Sequence, residues 1–264
     1  RIRTEPRHFE SGHRMNIKKI AGTAATTAAP GRNIQYLVIH YTAGTTSRTG
    51  SAVNTAKYFG RANNQAGSAD YIVDDSEAVQ YNPDPKNRYC WAVGGGKLRT
   101  GGGKLHGKAT NKNSISIEIC STNSTGRVPG ANDRTWTFTD AAVQTAAALA
   151  RQLMEEFHIP PERVIRHYDV TGKFCPGVVG WNEDSGDISE WETFRAMLTE
   201  NEEKEGTEVR YQTMAELPAW ARPAVTKLVR SGKLNGKSGK KDAQGFPTDL
   251  DLSEDMIRLI VMLG

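Results

Sequence analysis

Residues 34–40 read Ile34-Gln35-Tyr36-Leu37-Val38-Ile39-His40. The run follows Pro30-Gly31, is apolar without a break from Tyr36 to Ile39, and closes on a histidine. A short apolar stretch that begins after a turn signal and contains β-branched residues predicts a buried strand, here ending at His40.

Similar segments lie further along the chain. Tyr71-Ile72-Val73, stopped by Asp74-Asp75, predicts a second strand. Ser114-Ile115-Ser116-Ile117-Glu118-Ile119 alternates, with the isoleucines on one face and Glu118 on the other. Val164-Ile165 predicts a strand leading to His167. Between the strands, residues 51–64 carry Val53, Ala56 and Phe59 at helical spacing. Residues 139–158 give the strongest helix, with Thr139 as cap and Val143, Ala147, Ala150, Met154 and Phe157 as its apolar face. Ser189 to Glu192 fits a capping box ahead of a helix carrying Trp191, Phe194 and Leu198. Alternating strands and helices predict an α/β domain over residues 30–200. Residues 82–113, with glycine triplets at 94–96 and 101–103, read as a long surface loop.

Residues 1–29 read as an N-terminal arm or leader, in which His8 and His13 have no chemical role. Residues 201–209 are acidic and polar and read as a linker. Residues 210–264 form a small, mainly helical module, with helices around 220–229 and 254–263. Ser231-Gly232 marks a helix stop, and Met256, Ile257, Ile260 and Leu263 form a stripe.

The 264 residues are 37% hydrophobic and 24% charged, within the ordinary range for a folded chain of one sizeable and one small domain. The net charge of +4, from 34 basic and 30 acidic residues, is mild, and no basic helix is interleaved with stacking aromatics. These features speak against nucleic acid as a partner. No apolar run approaches the length of a membrane span, and no signal peptide is visible at the N-terminus. The three cysteines rule out a dense disulfide framework; Cys90 and Cys120 read as free thiols, with a bridge between them as the other reading. Trp136, Trp181 and Trp191 read as packing residues, and His106 and His158 carry no motif.

His40, His167 and Cys175, eight residues beyond His167, are residue types that bind zinc. Three such ligands leave a fourth position for water, the mark of a catalytic site. Spacing alone is a weak signal, and the sequence context adds to it. Val38-Ile39-His40-Tyr41-Thr42-Ala43, Ala69-Asp70-Tyr71-Ile72-Val73, Asn113 to Ile119, and His167-Tyr168-Asp169-Val170-Thr171-Gly172-Lys173-Phe174-Cys175-Pro176 occur in that order. Together they resemble the zinc N-acetylmuramoyl-L-alanine amidases, a family shared by phage lysozyme-type amidases and animal peptidoglycan recognition proteins.

The resemblance covers about residues 30–200 and implies a mixed central β-sheet flanked by helices. It makes His40, His167 and Cys175 ligands of Zn²⁺ and gives catalytic roles to Glu118, Lys173 and Tyr71. The implied activity is hydrolysis of the bond between muramic acid and L-alanine in bacterial peptidoglycan. It would act on the wall, either after release from the cytoplasm as a phage or prophage endolysin or after secretion. A non-catalytic peptidoglycan-binding protein on the same fold is the alternative. No histidine follows Trp91, where relatives often have one, and this puts substrate contacts from that loop in doubt. The C-terminal module loosely resembles surface-layer-homology modules, which raises a secondary wall polymer as a further partner; self-association is the other reading.

Overall fold

The apolar run becomes an inner strand of a six-stranded sheet. The computed structural model describes residues 14–44, 48–98, 101–123, 129–205 and 210–263, and it divides into two compact units, residues 1–199 and 200–264. The sheet of the first unit contains β1 (Ile17–Lys19), β3 (Tyr36–Tyr41), β4 (Tyr71–Val73), β5 (Ala78–Gln80), β7 (Ser114–Ile119) and β10 (Val164–Arg166). Their spatial order is β1-β5-β4-β7-β3-β10. Two antiparallel ribbons accompany it, β2 (Thr26–Ala28) with β6 (Arg88–Cys90) and β8 (Thr122–Asn123) with β9 (Trp136–Thr137). The sheet is mixed, as expected. β4 and β5 pair antiparallel, whereas β3 has parallel neighbours on both sides, β7 and β10.

Side chains alternate across a strand, so each half of the apolar run packs on a different layer. Leu37, Ile39, Ile115 and Ile117 pack against α2 (Asp140–Phe157) through Ala146, Leu149, Ala150 and Leu153. On the opposite face, Ile72 and Val79 meet Ala52 and Ala56 of α1 (Ser51–Phe59). Val38 and Ile165 on that face meet Val93, Ala109 and Val170. Each fully buried aliphatic side chain of this kind contributes about 1.5–3 kcal/mol. α2 starts as its sequence predicts: the Thr139 hydroxyl accepts from the Ala142 N–H at 3.2 Å. It stops at His158, whose left-handed backbone (φ 53°) lets its N–H reach the last carbonyls.

Several expectations are corrected. Part of the supposed arm belongs to the domain, because β1 pairs parallel with β5 and β2 pairs with β6; residues 1–13 lie outside the described residues. β10 ends at Arg166, and His167 is the first residue of a short helix, α3 (His167–Thr171). The long loop over 82–113 contains β6. The helix α4 (Ser189–Glu205) does not open on a Ser189–Glu192 capping box. The Asp187 carboxylate accepts from both the N–H and the hydroxyl of Ser189, each at 2.9 Å, and the Glu192 N–H goes to the Ile188 carbonyl. α4 also runs through Glu205, into the stretch read as linker. Trp136, Trp181 and Trp191 are core residues, and the three cysteines are free thiols.

The second unit is built from α5 (Arg222–Arg230), α6 (Glu254–Leu263) and a small antiparallel pair, β11 (Arg210–Tyr211) with β12 (Leu252–Ser253). Leu217, Ala221, Val225, Val229, Leu250, Leu252 and Ile257 form its core. The α6 stripe is narrower than its sequence pattern: Ile257 is buried and Ile260 packs beside it, but Met256 is 45% exposed. Leu263 lies outside the described side chains. Among the described residues no helix is long and apolar enough to cross a membrane.

Candidate metal centre

The β3–β7 register places His40 directly opposite Glu118. Paired residues on parallel strands project from the same face of the sheet, here the face covered by α1. β10 runs on the other side of β3, with Arg166 opposite Ile39. The chain therefore leaves β10 and enters α3 beside His40. The rings of His40 and His167 stand 4.7 Å apart between centroids, tilted by 60°.

Cys175 is delivered by the loop that follows α3. Gly172 closes the helix in the left-handed conformation (φ 78°), which glycine adopts without strain. The Cys175 carbonyl then accepts from the Tyr168 N–H at 2.8 Å, and the Asn182 amide donates to the Pro176 carbonyl at 2.6 Å. A Cβ at Gly177 would overlap the Tyr41 ring and Phe174, so the close turn there requires glycine. The result brings Cys175 Sγ to 3.6 Å from His40 Nδ1.

α3 itself is held at its root and along its side. Asp169 accepts from the Arg166 backbone N–H (2.8 Å) and from its guanidinium (2.7 and 3.0 Å), and the same guanidinium donates to the Trp181 carbonyl. The glycine-rich loop, read from sequence as a long surface loop, donates from the Leu98, Gly103 and Leu105 N–H groups to carbonyls of α3. A Cβ on Gly102 would strike the Tyr168 backbone, which explains the second glycine triplet as a close approach of loop to helix.

The ligand atoms of His40, His167 and Cys175 all lie within 4.8 Å of one another, and all three residues are buried. His40 Nε2, both ring nitrogens of His167 and Oε2 of Glu118 have no hydrogen-bond partner among the described residues. Unsatisfied buried polar atoms are costly, and a His–His–Cys cluster in which they concentrate is one that a bound cation would relieve. A nitrogen and a sulfur on one tetrahedral zinc are about 3.5 Å apart, given the usual bond lengths. The His40–Cys175 separation fits that geometry.

The electrostatics agree. Burial, the neighbouring His167 and Lys173 hold His40 well below its usual range. Burial and Lys173 bring His167 down to about 3. Both imidazoles are therefore neutral, the form that binds metal. Burial and the Glu118 charge raise the Cys175 thiol to about 12, opposed by Lys173. A divalent cation would reverse that preference and favour the thiolate. Burial raises Glu118 to about 8, again opposed by Lys173.

Five of the six site residues singled out from sequence are thus brought together. Lys173 is exposed, and its charge acts on His40, His167, Glu118 and Cys175. Tyr71 is the exception. It pairs with Ile117, one residue from the Glu118 position, so it projects from the opposite face of the sheet. It is 4% exposed and packs with the α2-side core. There it lines a separate cavity of about 370 Å³ with Gln80, Gln152 and Phe157. His106 lines another cavity, of about 310 Å³. The sequence reading missed Arg166, Asp169 and Asn182 as supports of the site. The signal available for the first two was an Arg-x-x-Asp spacing across a strand-to-helix junction.

A family described as N-acetylmuramoyl-L-alanine amidase matches residues 30–178. An amidase of that name from Bacillus licheniformis, CwlL, is 31% identical over 174 residues, covering 61% of this chain and 40% of its own length. CwlH of Bacillus subtilis (strain 168), another amidase of that name, is 32% identical over 160 residues, covering 60% of this chain and 54% of its own. The matches therefore span about half or less of these relatives. Among solved structures, the PlyG catalytic domain superposes with a TM-score of 0.50 at 26% identity, covering 70% of this chain and 94% of that domain.

Proposed function

This chain belongs to the N-acetylmuramoyl-L-alanine amidase family, and from that premise we propose that it hydrolyses the amide bond joining the lactyl group of N-acetylmuramic acid to L-alanine in bacterial peptidoglycan. The observation that carries this reading is the buried His40–His167–Cys175 set with an unpaired Glu118 facing it. These three residues would hold zinc, which supplies a Lewis acid able to polarise a carbonyl and lower the pKa of water.

The chain's own groups supply the proton handling. Glu118 Oε2 takes a proton from the attacking water and passes it to the departing alanine nitrogen as the carbon–nitrogen bond breaks. Its raised proton affinity suits both halves of that transfer. Lys173 contributes a positive charge toward the oxygen on which negative charge develops. The products are the lactyl carboxylate and a free L-alanine amino group. Tyr71, facing the other layer, takes no part.

The small second unit acts as an accessory module for the wall. Three of its carboxylates are engaged internally: Asp242 accepts from two loop N–H groups, Asp249 from the Ser238 N–H, and Asp251 pairs with Arg210 and Lys237. Lys233, Lys240 and Lys241 are exposed and would be available to an anionic wall polymer. Tethering of this kind raises the concentration of the catalytic unit at its substrate. Action on the wall fits release as a phage or prophage endolysin.

The test is zinc content together with the products formed from purified peptidoglycan. About one zinc per chain and new L-alanine amino termini on intact glycan strands are expected. Wall binding without new amino termini would replace this reading with that of a non-catalytic peptidoglycan-binding protein.

A further inference from the structure

Beside the Cys175 loop stands a guanidinium that the hydrolysis does not use. Arg134, exposed on the segment entering β9, places its Cζ 3.4 Å from the centre of the Phe174 ring. Phe174 lies between Lys173 and Cys175 in the chain. The segment is tied to the same region elsewhere. The Tyr41 hydroxyl donates to the Ala131 carbonyl, and the Val179 N–H donates to the Trp136 carbonyl at 3.3 Å. The segment is also braced internally, with Trp136 Nε1 donating to the Gly130 carbonyl and Asp133 accepting from the Thr135 N–H. The charges of Cys175, Glu118 and Arg134 all act on the Tyr41 phenol.

Stacking orients the plane of an arginine without occupying its N–H groups, and the planar fork matches a carboxylate in a two-point contact. Among the described residues no hydrogen bond or ion pair takes up the Arg134 guanidinium. The guanidinium is thus oriented beside the segment that carries Lys173 and Cys175, through its stack on Phe174.

Resting on the amidase reading, we infer that Arg134 recognises a carboxylate of the stem peptide, the free α-carboxylate of the γ-linked glutamate that follows L-alanine. A γ-linkage leaves that α-carboxylate unengaged in the chain. It also lies about two residues, or about 7 Å, from the scissile bond. Phe174, on which Arg134 stacks, is the chain neighbour of Cys175. Arg134 would therefore make the enzyme distinguish walls whose glutamate is free from walls in which it is amidated.

The experiment uses the full zinc-loaded chain and two soluble substrates, N-acetylmuramyl-L-Ala-γ-D-Glu-L-Lys and the same compound with the glutamate α-carboxyl amidated. The wild type is expected to show the lower KM on the free acid. Arg134→Gln should raise KM for the acid about tenfold, with kcat kept, and leave the amide unchanged. Arg134→Lys should recover part of the preference, and the melting temperature should not move. Equal losses on both substrates, or no loss on either, would overturn the assignment. Cleavage of neither substrate by the wild type would overturn the amidase reading itself, and this inference with it.

Discussion

His40 and Glu118 face each other across the β3–β7 ladder, and neither His40 Nε2 nor Glu118 Oε2 finds a hydrogen-bond partner among the described residues. A folded chain tolerates such a pair when an ion or water completes it. Zinc, bound by the folded state alone, should stabilise the protein by about 4 kcal/mol at a free concentration a thousandfold above its dissociation constant. Melting with and without a chelator checks this. Cys175→Ala should lose bound zinc, the melting shift and hydrolysis together. Retention of a full melting shift in that variant would place the metal elsewhere.

Glu118→Gln should remove hydrolysis while making the metal-free chain more stable at high pH. The folded-state value of Glu118 is raised to about 8. The folded chain therefore holds this proton more tightly than the unfolded chain. Its contribution is fully present below the ordinary carboxylate range and is lost as pH rises toward 8. Glutamine has no proton to lose. The variant should gain over the wild type on the order of a few kcal/mol near pH 8 and little near pH 4. Denaturant melts of chelated protein at the two pH values measure the difference. A gain of the same size at both would show that the effect is packing and not ionisation.

Asp169→Ala should weaken zinc binding without touching a ligand. Arg166 is 5% exposed and relies on Asp169 for three contacts. Removing the carboxylate leaves a buried cation underpaired, at a cost of about 3 kcal/mol in stability. The first turn of α3, which carries His167, loses its anchor at the same time. Zinc affinity should fall at least tenfold, as when other groups that orient metal ligands are removed. A destabilised protein with wild-type zinc affinity would show that Arg166–Asp169 serves the fold alone.

Tyr71→Phe should leave kcat/KM within about twofold of the wild type, a change below 0.5 kcal/mol. Tyr71 lines the cavity shared with Gln80 and Gln152, on the α2 side of the sheet. A hundredfold loss of kcat with normal zinc content would restore Tyr71 to the reaction.

The sequence alone singled out His40, His167 and Cys175 as candidate metal ligands, because imidazole and thiolate are scarce and the His167-to-Pro176 segment is specific. It also determined β3, β4, β7 and α2, whose periodicity and caps are local properties of consecutive residues. Three-dimensional pairing decided the rest. β1 and β2 are too short to stand out in a polar stretch and exist because β5 and β6 offer them edges. Whether Tyr71 and Glu118 share a site depended on register: a shift of one position along a strand moves a side chain to the other face of the sheet. His40 meets Glu118 for the same reason. The Arg134 stack on Phe174 and the glycine loop against α3 join segments distant in the chain. No periodicity within either segment encodes such contacts; they form only when the sheet brings the C-terminal ends of β3, β7 and β10 to one place.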